Sequence, residues 1–288
     1  MTNFFLTLVA TYTPITEDTI NIVGDFVDFQ WLKQGIAADI RLNQPLGRAA
    51  LNYIRTQLEP QKIDVFQTAG ENRRKKLLLA DMDSTIVTGE TLDELAAYAG
   101  IKDKIATITA RAMNGELDFH AALRERVGLL EGLSDSKLQE TLDETHLTSG
   151  AKTFVQTMKK HGAHCVLVSG GFTFFTAAIA AQTGFDNHHG NTLDIQGGKL
   201  TGKVIEPILD KQSKLTFLNE YADRQNLILD QALTIGDGAN DLPMLQAAGL
   251  GIGFHAKPAV VEQLDNMIRF GDLTSALYAQ GYNENEFA

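Results

Sequence analysis

The sequence predicts an α/β protein with a doubly wound, Rossmann-type parallel sheet, a helical insert in that sheet domain and a small α+β unit in front of it. Two observations predict the sheet. Short, continuous apolar runs recur after residue 76, and stretches with helical periodicity separate them. Continuous apolar runs are typical of strands that are buried on both faces of a parallel sheet. Strands that alternate with helices build an α/β core with helices on both sides.

Composition limits the class of protein. The chain has 288 residues, and with about 150 residues per domain as a guide we expect about two domains. Apolar residues make up 44% and charged residues 21% of the chain, as in an ordinary globular protein. The formal net charge is -11, and we find no basic stripe. Both features argue against nucleic acid as a partner.

Two features of the sequence bear on its location. Cys165 is the single cysteine, which excludes an internal disulfide and indicates a reducing compartment. Residues 1–10 carry no basic segment and only a short apolar stretch, which supports neither a signal peptide nor a membrane span. We therefore expect a cytoplasmic protein with no membrane partner, and a homodimer is one assembly that the sequence leaves open.

Residues 1–72 form the predicted α+β unit, and their pattern favours a ferredoxin-like module. Such a module is similar to amino-acid-sensing, ACT-like domains, but we find no ligand motif in it, so a packing or oligomerisation role is favoured. The basic cluster Arg73-Arg74-Lys75-Lys76 that follows is predicted to be a solvated linker or strand entry. The predicted strands cover residues 4–10, 37–42 and 63–67, and the predicted helices cover residues 17–26 and 48–58.

Residues 73–288 form the predicted sheet domain. The segment 192–205 alternates apolar and polar residues around Gly197-Gly198, which predicts a β-hairpin added to the sheet. The predicted strands of the sheet cover residues 77–80, 165–168, 233–235 and 250–253.

A long insert follows the first of these strands. Residues 90–149 show apolar stripes at helical spacing and no strand pattern, so we predict that the insert is helical. An insert in this position lies over the carboxyl end of the first strand, where open α/β sheets bind ligands. The sequence therefore predicts a helical cap that can close the site.

Two acidic residues follow the first strand of the predicted sheet. Asp81 and Asp83 are two positions apart, so in an extended segment both carboxylates can face one pocket while Met82 points into the core. Two carboxylates that lie close together need a cation or a shared proton to relieve their repulsion. The alternative is a strand end that carries two surface acids, and the apolar run before the pair argues against it.

A second acidic motif follows a later apolar run. Glycines on both sides of Asp237 permit a tight turn, and Asp237 and Asp241 offer two hard oxygen ligands of the type that Mg²⁺ binds. By itself this motif could also be a Ca²⁺-like loop or a helix N-cap. An EF-hand is disfavoured because its twelfth-position glutamate is absent in either frame, where Ala248 and Ile252 stand instead.

Two further motifs are weak when each is taken alone. The run Val168-Ser169-Gly170-Gly171 ends a strand and opens a helix, and its hydroxyl and N–H groups form a ready anion site. It matches neither a Walker-type loop nor a dinucleotide fingerprint, which argues against nucleotide binding. Nothing local distinguishes Lys214 from Lys211, so in isolation it would be assigned as a solvated helix lysine.

Taken together, these residues resemble the four signature motifs of the haloacid dehalogenase superfamily, in the same chain order and at strand ends. The resemblance covers about residues 76–270 and leaves residues 1–72 outside. Within the superfamily the sequence is similar to phosphoserine phosphatases. The segments that carry this closer resemblance are DMDST at 81–85, ETLDE at 90–94, LRERV at 123–127 and VSGGF at 168–172.

The resemblance implies a Mg²⁺-dependent phosphomonoesterase that hydrolyses O-phospho-L-serine, the last step of L-serine biosynthesis. It makes Asp81 the nucleophile that forms an aspartyl-phosphate, and Asp83 the acid that protonates the leaving serine and later accepts a proton from water. It places Mg²⁺ on Asp81, on the backbone carbonyl of Asp83 and on Asp237, with Asp241 in or beside the coordination shell.

The resemblance also implies residues that bind the substrate. Glu90 on the cap would bind the amine of phosphoserine, and Arg126 would bind its carboxylate bidentately. Met113 and Phe119 would form an apolar wall. The residues expected around the phosphate are Ser169, Gly170, Lys214 and Asn240.

Alternative functions remain open at this point. The same scaffold could serve a phosphatase for another small ester, or a phosphotransferase that passes the phosphoryl group to an alcohol. A binding module that senses an amino acid through residues 1–72 is an alternative from a different class.

Overall fold

A computed structural model describes residues 3–113 and 116–288, and within these ranges the strands form two sheets. The first sheet is four-stranded and antiparallel, in the order β2-β3-β1-β4 that is typical of a ferredoxin-like module. Its strands are β1 (Phe4–Ala10), β2 (Asp28–Lys33), β3 (Ala37–Leu42) and β4 (Ile63–Ala69). Helices α1 (Glu17–Asn21) and α2 (Arg48–Leu58) belong to the same unit.

The structure of this unit differs from the prediction in two places. The helix predicted over 17–26 ends at Asn21, and Gly24 then adopts a left-handed conformation with φ of +85° that stops further helical turns. Strand β2 was not predicted. It is an edge strand in which half-buried Phe29 and Trp31 alternate with exposed polar residues, so it lacks the continuous apolar run of a central strand.

The second sheet has seven strands in the order β11-β10-β9-β5-β6-β7-β8, and it confirms the predicted doubly wound α/β class. Its pairs are parallel except for the antiparallel hairpin of β7 and β8. The strands are β5 (Leu77–Ala80), β6 (His164–Phe172), β7 (Asn187–Gln196), β8 (Lys199–Ile205), β9 (Ala232–Gly236), β10 (Leu250–Phe254) and β11 (Met267–Ile268). All four predicted core strands and the hairpin are present, whereas β11 was not predicted.

The insert after β5 is helical in its described residues, as predicted. It leaves and rejoins the sheet domain through a narrow neck, where Val87 and Leu147 form an antiparallel bridge and the Thr148 N–H donates to the Ile86 carbonyl at 2.9 Å. We call the segment between them the cap. Its helices are α3 (Thr91–Tyr98), α4 (Lys102–Met113), α5 (Phe119–Gly128) and α6 (Ser136–Glu144).

The remaining helices flank the seven-stranded sheet or end the chain. Among the described helices, none combines the length and the apolar composition that crossing a membrane requires. The helices are α7 (Ala151–Lys160), α8 (Thr173–Thr183), α9 (Lys211–Arg224), α10 (Leu242–Ala247), α11 (Pro258–Val261) and α12 (Ser275–Ala279).

One cluster of buried apolar residues joins the two sheets. Val9 and Phe66 of the first sheet belong to the same buried cluster as Leu273 and Leu277 near the C-terminal end. Polar contacts join the same surfaces, since the Asp64 carboxylate accepts hydrogen bonds from the N–H groups of residues 269–271. Because this joint is buried, residues 1–72 pack against the sheet domain. The domain boundary at residue 72 stays a prediction.

The solvated linker predicted for the basic cluster is wrong for two of its residues. The Arg73 side chain is 10% exposed and forms a bidentate ion pair with Asp39, which is fully buried, through contacts of 2.6 and 2.7 Å. The Lys75 side chain is buried and donates to the Asp230 carbonyl at 2.6 Å. Both cations lie where the chain passes from the first sheet to the second, and there they are buried between the two sheets.

Candidate active site

The predicted chemical residues meet at one edge of the seven-stranded sheet. Strands β9, β5 and β6 are neighbours, so Asp81 after β5, Ser169 in β6 and Asp237 after β9 lie together where these strands end. A cavity of about 300 Å³ lies between this edge and the cap. Its lining includes Asp81, Asp83, Glu90, Phe119, Arg126, Ser169, Gly170, Asp237, Asn240 and Lys257.

Three buried carboxylates form the floor of the site. One oxygen atom each of Asp81, Asp237 and Asp241 lies within 4.8 Å of the others. Two ammonium groups offset part of this negative charge. The Lys214 Nζ atom lies 2.6 Å from Asp81 Oδ1 and 2.5 Å from Asp241 Oδ1, and the Lys257 Nζ atom lies 2.9 Å from Asp237 Oδ2.

Burial and mutual repulsion set the protonation of this floor. Burial raises the pKa of Asp81 well above its ordinary value, and the negative charge of Asp241 raises it further, whereas Lys214 opposes both effects. Burial alone would lower the pKa of Lys214, but Asp241 and Asp81 outweigh it, so the pKa of this lysine is raised. Lys214 is therefore a fixed positive charge beside Asp81.

The carboxylate cluster fits a divalent cation. It offers three hard oxygen ligands from one buried patch, and the two lysines show that the patch needs positive charge. Asp241 is held in place by the Gly238 N–H, which donates to its Oδ2 atom at 3.0 Å. The Asp83 side chain does not belong to the cluster, and only its backbone carbonyl was assigned to the metal.

Asp83 is held apart from the cluster by donors on two elements. Its Oδ1 atom accepts from the Thr91 N–H at 3.0 Å, and its Oδ2 atom accepts from the Ser169 hydroxyl at 3.0 Å. Burial raises the pKa of Asp83, and the hydrogen bonds from Thr91 and Ser169 oppose that rise. A carboxyl group with a raised pKa can act as a general acid.

The backbone around Asp83 is shaped for this position. Ser84 adopts a left-handed conformation with φ of +56°, which turns the chain sharply after Asp83. Gly171 comes so close that a Cβ atom there would lie 2.9 Å from Asp83 Oδ2. The second glycine of the Ser169-Gly170-Gly171 run is therefore required by close approach, a role that the sequence analysis did not assign.

The residues that were predicted to surround the phosphate occupy different positions around the cavity. Ser169 Oγ also accepts from the Gly171 N–H at 2.8 Å. Gly170 and Asn240 line the cavity, and Asn240 is exposed. Lys214 lies behind Asp81 and lines a small adjoining pocket together with Ser169 and Gly170.

The cap supplies the upper wall. The Ser84 hydroxyl donates to Glu90 Oε1 at 2.8 Å, and burial raises the pKa of Glu90. Arg126 Nε donates to the Ala122 carbonyl of its own helix at 3.3 Å, and Arg126 lines the cavity opposite the sheet edge together with Phe119, which is 38% exposed. The side chain of Met113 lies outside the described part of the structure.

Sequence analysis missed Lys257. This lysine follows β10, lines the cavity and pairs with Asp237, while its backbone N–H donates to the Asp237 carbonyl at 2.9 Å. No local signal distinguishes it from a solvated loop lysine. Only the pairing of β10 with β9 brings it to the acidic floor.

Comparison with known proteins agrees with this geometry. A family model described as haloacid dehalogenase-like hydrolase matches residues 78–246. A phosphoserine phosphatase of Streptomyces coelicolor is 43% identical over 219 residues, which cover 76% of this chain and 53% of the relative. A phosphoserine phosphatase of Streptococcus thermophilus is 44% identical over 199 residues, 69% of this chain and 93% of the relative.

Among solved structures, a HAD family hydrolase from Salmonella enterica has a TM-score of 0.87 and 29% sequence identity, and the match covers 99% of both chains. The chain spans about half the length of the Streptomyces relative. The family match covers more than half of this chain and includes the ends of β5, β6 and β9, which carry Asp81, Ser169 and Asp237. The chain therefore belongs to the haloacid dehalogenase-like hydrolase family, and the sequence relatives named above are phosphoserine phosphatases.

Proposed function

We propose that this chain is a phosphomonoesterase that hydrolyses O-phospho-L-serine to L-serine and phosphate. The observation that carries the proposal is the pair of carboxyl groups with different surroundings. Asp81 lies in the acidic floor beside Lys214, whereas Asp83 is held by Thr91 and Ser169 and has a raised pKa. Two carboxyl groups in different environments can divide the roles of nucleophile and acid.

In the first half of the proposed reaction, an Asp81 carboxylate oxygen forms a bond to phosphorus while the bond from phosphorus to the serine oxygen breaks. Asp83 delivers its proton to that oxygen, because an alkoxide is a poor leaving group. The products are free serine and an aspartyl-phosphate. Lys214 fixes the orientation of Asp81 through its 2.6 Å contact.

In the second half, Asp83 is ionised and accepts a proton from water as the water oxygen attacks phosphorus. The bond from phosphorus to Asp81 breaks, which releases phosphate and restores both carboxyl groups. We assign the divalent ion as Mg²⁺, held by Asp81, the Asp83 carbonyl, Asp237 and Asp241, where it would offset the negative charge of the phosphate. Ser169 and the Gly170 N–H are proposed to hold the other phosphate oxygens.

The cap supports phosphoserine as the substrate. An acid and a base line its side of the cavity, Glu90 and Arg126, and they match the ammonium and the carboxylate of an amino acid. Phe119 contributes the apolar wall that the proposal needs. A cavity of about 300 Å³ fits a small-molecule partner of this size.

The proposal extends to the cellular context. A biosynthetic role places the enzyme in the cytoplasm, and the buried free thiol of Cys165 is consistent with a reducing compartment. Assembly as a homodimer stays a prediction.

The test is phosphate release from a panel that contains phosphoserine, phosphothreonine, sugar phosphates and p-nitrophenyl phosphate, each with Mg²⁺ and with a chelator. We expect Mg²⁺-dependent turnover with a strong preference for phosphoserine, and none from the Asp81→Asn variant. Preference for another ester would keep the mechanism and reject the substrate. Transfer of phosphate to an added alcohol in place of water would identify a phosphotransferase.

A further inference from the structure

Lys257 contacts a carboxylate that the divalent ion would also use. The Lys257 Nζ atom lies 2.9 Å from Asp237 Oδ2, and Asp237 is one of the three carboxylates that can hold the ion. Lys257 lines the active-site cavity together with Asp237, so its ammonium lies on the side from which an ion or a substrate enters. The reaction proposed above gives this lysine no role.

The two lysines beside the carboxylate cluster are held in different ways. Lys214 is confined, because its side chain is 4% exposed and its Nζ atom contacts both Asp81 and Asp241, at 2.6 and 2.5 Å. The Lys257 side chain is 55% exposed, and Asp237 is its one ion-pair partner among the described residues. An ammonium that leaves Asp237 would be solvated by water, whereas Lys214 would stay buried without a partner, which is costly. Of the two cations, Lys257 is the one that can be displaced.

The backbone of Lys257 is held on both sides. Its N–H donates to the Asp237 carbonyl at 2.9 Å, and its own carbonyl accepts from the Val260 N–H at 2.9 Å. The side chain is a flexible four-carbon stem that ends in a strongly hydrated ammonium. Displacement from Asp237 therefore requires only rotation of this side chain, and the backbone contact with Asp237 can persist.

The balance of charge favours displacement. A carboxylate that holds a metal ion is ionised, so Asp81, Asp237 and Asp241 carry three negative charges when they bind the ion. A divalent ion and the Lys214 ammonium together neutralise these three charges. The Lys257 ammonium is then in excess, and as a like charge at the same site it opposes binding of the ion. The second oxygen of Asp237 could still contact the ion, but this would not remove the repulsion.

We propose that Lys257 competes with the divalent ion for Asp237 and thereby sets how tightly the ion binds. The proposal rests on the proposed function for the position of the ion, but it depends on neither the substrate nor the two steps of the reaction. Preference for an ester other than phosphoserine would leave it standing. Unchanged affinity for the ion after loss of the Lys257 charge would refute it and leave the phosphatase assignment intact.

The experiment measures binding of Mn²⁺ to the full chain, freed of metal and of chelator beforehand. Mn²⁺ suits the same oxygen ligands as Mg²⁺, and its electron paramagnetic resonance signal reports the free ion. Lys257→Met removes the charge and keeps most of the stem, whereas Lys257→Arg keeps the charge. The matched control is Lys33→Met, which changes the net charge equally. Lys33 is a half-buried lysine whose Nζ atom lies 2.5 Å from Oε1 of Glu284.

We expect Lys257→Met to bind Mn²⁺ at least about fivefold more tightly than the parent, the low end of typical coupling between two binding events. Lys257→Arg and Lys33→Met should bind it with an affinity close to that of the parent. In an Asp237→Asn background, which removes the contested carboxylate, Lys257→Met should give a much smaller gain. The Mg²⁺ concentration for half-maximal phosphate release should fall in Lys257→Met by a factor similar to the gain in affinity.

Thermal unfolding gives a second readout that a merely structural role would not reproduce. In chelator, Lys257→Met should unfold at a lower temperature than the parent, because Asp237 loses a cation that offsets its repulsion with Asp81 and Asp241. An ion stabilises the fold more as its dissociation constant falls, so added Mn²⁺ should raise the unfolding temperature more in Lys257→Met than in the parent. If Lys257→Met does not fold, Lys257→Gln replaces it.

Several results would overturn the proposal. Weaker Mn²⁺ binding by Lys257→Met, restored in Lys257→Arg, would show that the lysine holds Asp237 in place for the ion. Equal affinities in the parent and Lys257→Met would remove the competition, and equal gains in Lys257→Met and Lys33→Met would trace the effect to net charge alone. If neither the parent nor Lys257→Met binds Mn²⁺, this proposal and the assignment of the metal site both fail.

Discussion

Replacement of Asp83 by asparagine tests the division of roles between the two carboxyl groups. The change preserves shape, because an Asn oxygen can still accept from the Thr91 N–H and its amide can donate to the Ser169 hydroxyl. It removes the proton that serine needs as it leaves. We therefore expect a folded protein in which the chemistry of alkyl esters is impaired.

The size of the effect follows from what Asp83 contributes. Positioned acid–base groups supply about 10² to 10⁴ in rate, which corresponds to about 3 to 5 kcal/mol of barrier. We expect turnover of phosphoserine by the Asp83→Asn variant to fall within that range. p-Nitrophenolate leaves without a proton, so the first step with p-nitrophenyl phosphate should be much less affected.

The second step, hydrolysis of the aspartyl-phosphate, still needs Asp83 as a base. The two steps can therefore be separated by pre-steady-state kinetics with p-nitrophenyl phosphate. Stopped-flow measurement of p-nitrophenol should show a burst of about one equivalent per active site, followed by slow turnover, because the aspartyl-phosphate accumulates. Equal losses on the two substrates with no burst would refute the assignment of Asp83. In the unmodified enzyme, burial raises the pKa of Asp83, so the acid form persists to higher pH than in an ordinary aspartate. The rate of the first step with phosphoserine should decline as pH rises through that pKa.

Two further substitutions test the cap and the joint between the sheets. Arg126→Met should lower kcat/KM for phosphoserine at least about 30-fold, because it leaves the buried carboxylate of the substrate unpaired. It should have little effect on p-nitrophenyl phosphate, which has no carboxylate. Arg124→Met is the control because Arg124 is exposed and pairs with Glu206, and similar losses in both variants would remove the carboxylate role from Arg126. Arg73→Met should destabilise the fold to urea by about 3 to 5 kcal/mol, because it leaves buried Asp39 unpaired, whereas the more exposed Arg74→Met should cost less than about 1 kcal/mol. Adding Asp39→Asn should recover part of the Arg73→Met loss, and no recovery would show that the ion pair is not the cause.

The central strands could be predicted because each is buried on both faces and is therefore apolar throughout. Leu77–Ala80 and Ala232–Gly236 are buried at every position. Strand β2 was missed because it is an edge strand whose outer face is polar, and β11 is only two residues long. Arg73 was assigned to solvent because a local run of cations gives no sign that a buried carboxylate, Asp39, lies 34 positions away in the sequence.

Some residues of the candidate site could likewise be predicted from the sequence, and others could not. Asp81, Ser169 and Asp237 could be located because each follows or ends an apolar strand, and parallel strands bring their ends to one edge. Lys214 could be chosen over Lys211 only by resemblance, and its contacts with two aspartates depend on how α9 packs on the sheet. Lys257 has no sequence signal, because it reaches the site only through the pairing of β10 with β9.

The most direct test of the central claim is the covalent intermediate. p-Nitrophenyl phosphate labelled with ³²P is mixed with the Asp83→Asn variant, because its first step needs no proton from Asp83, and the protein is quenched in acid and counted. A parallel sample is reduced with tritiated borohydride, which expels the phosphate and leaves tritiated homoserine in place of the phosphorylated aspartate, and the tritiated peptide is mapped. The account predicts label on the peptide that contains Asp81, and its absence when Asp81 is also changed to asparagine. Rapid phosphate release from the unmodified enzyme with no label on Asp81 in either protein, or label on another residue, would contradict the account.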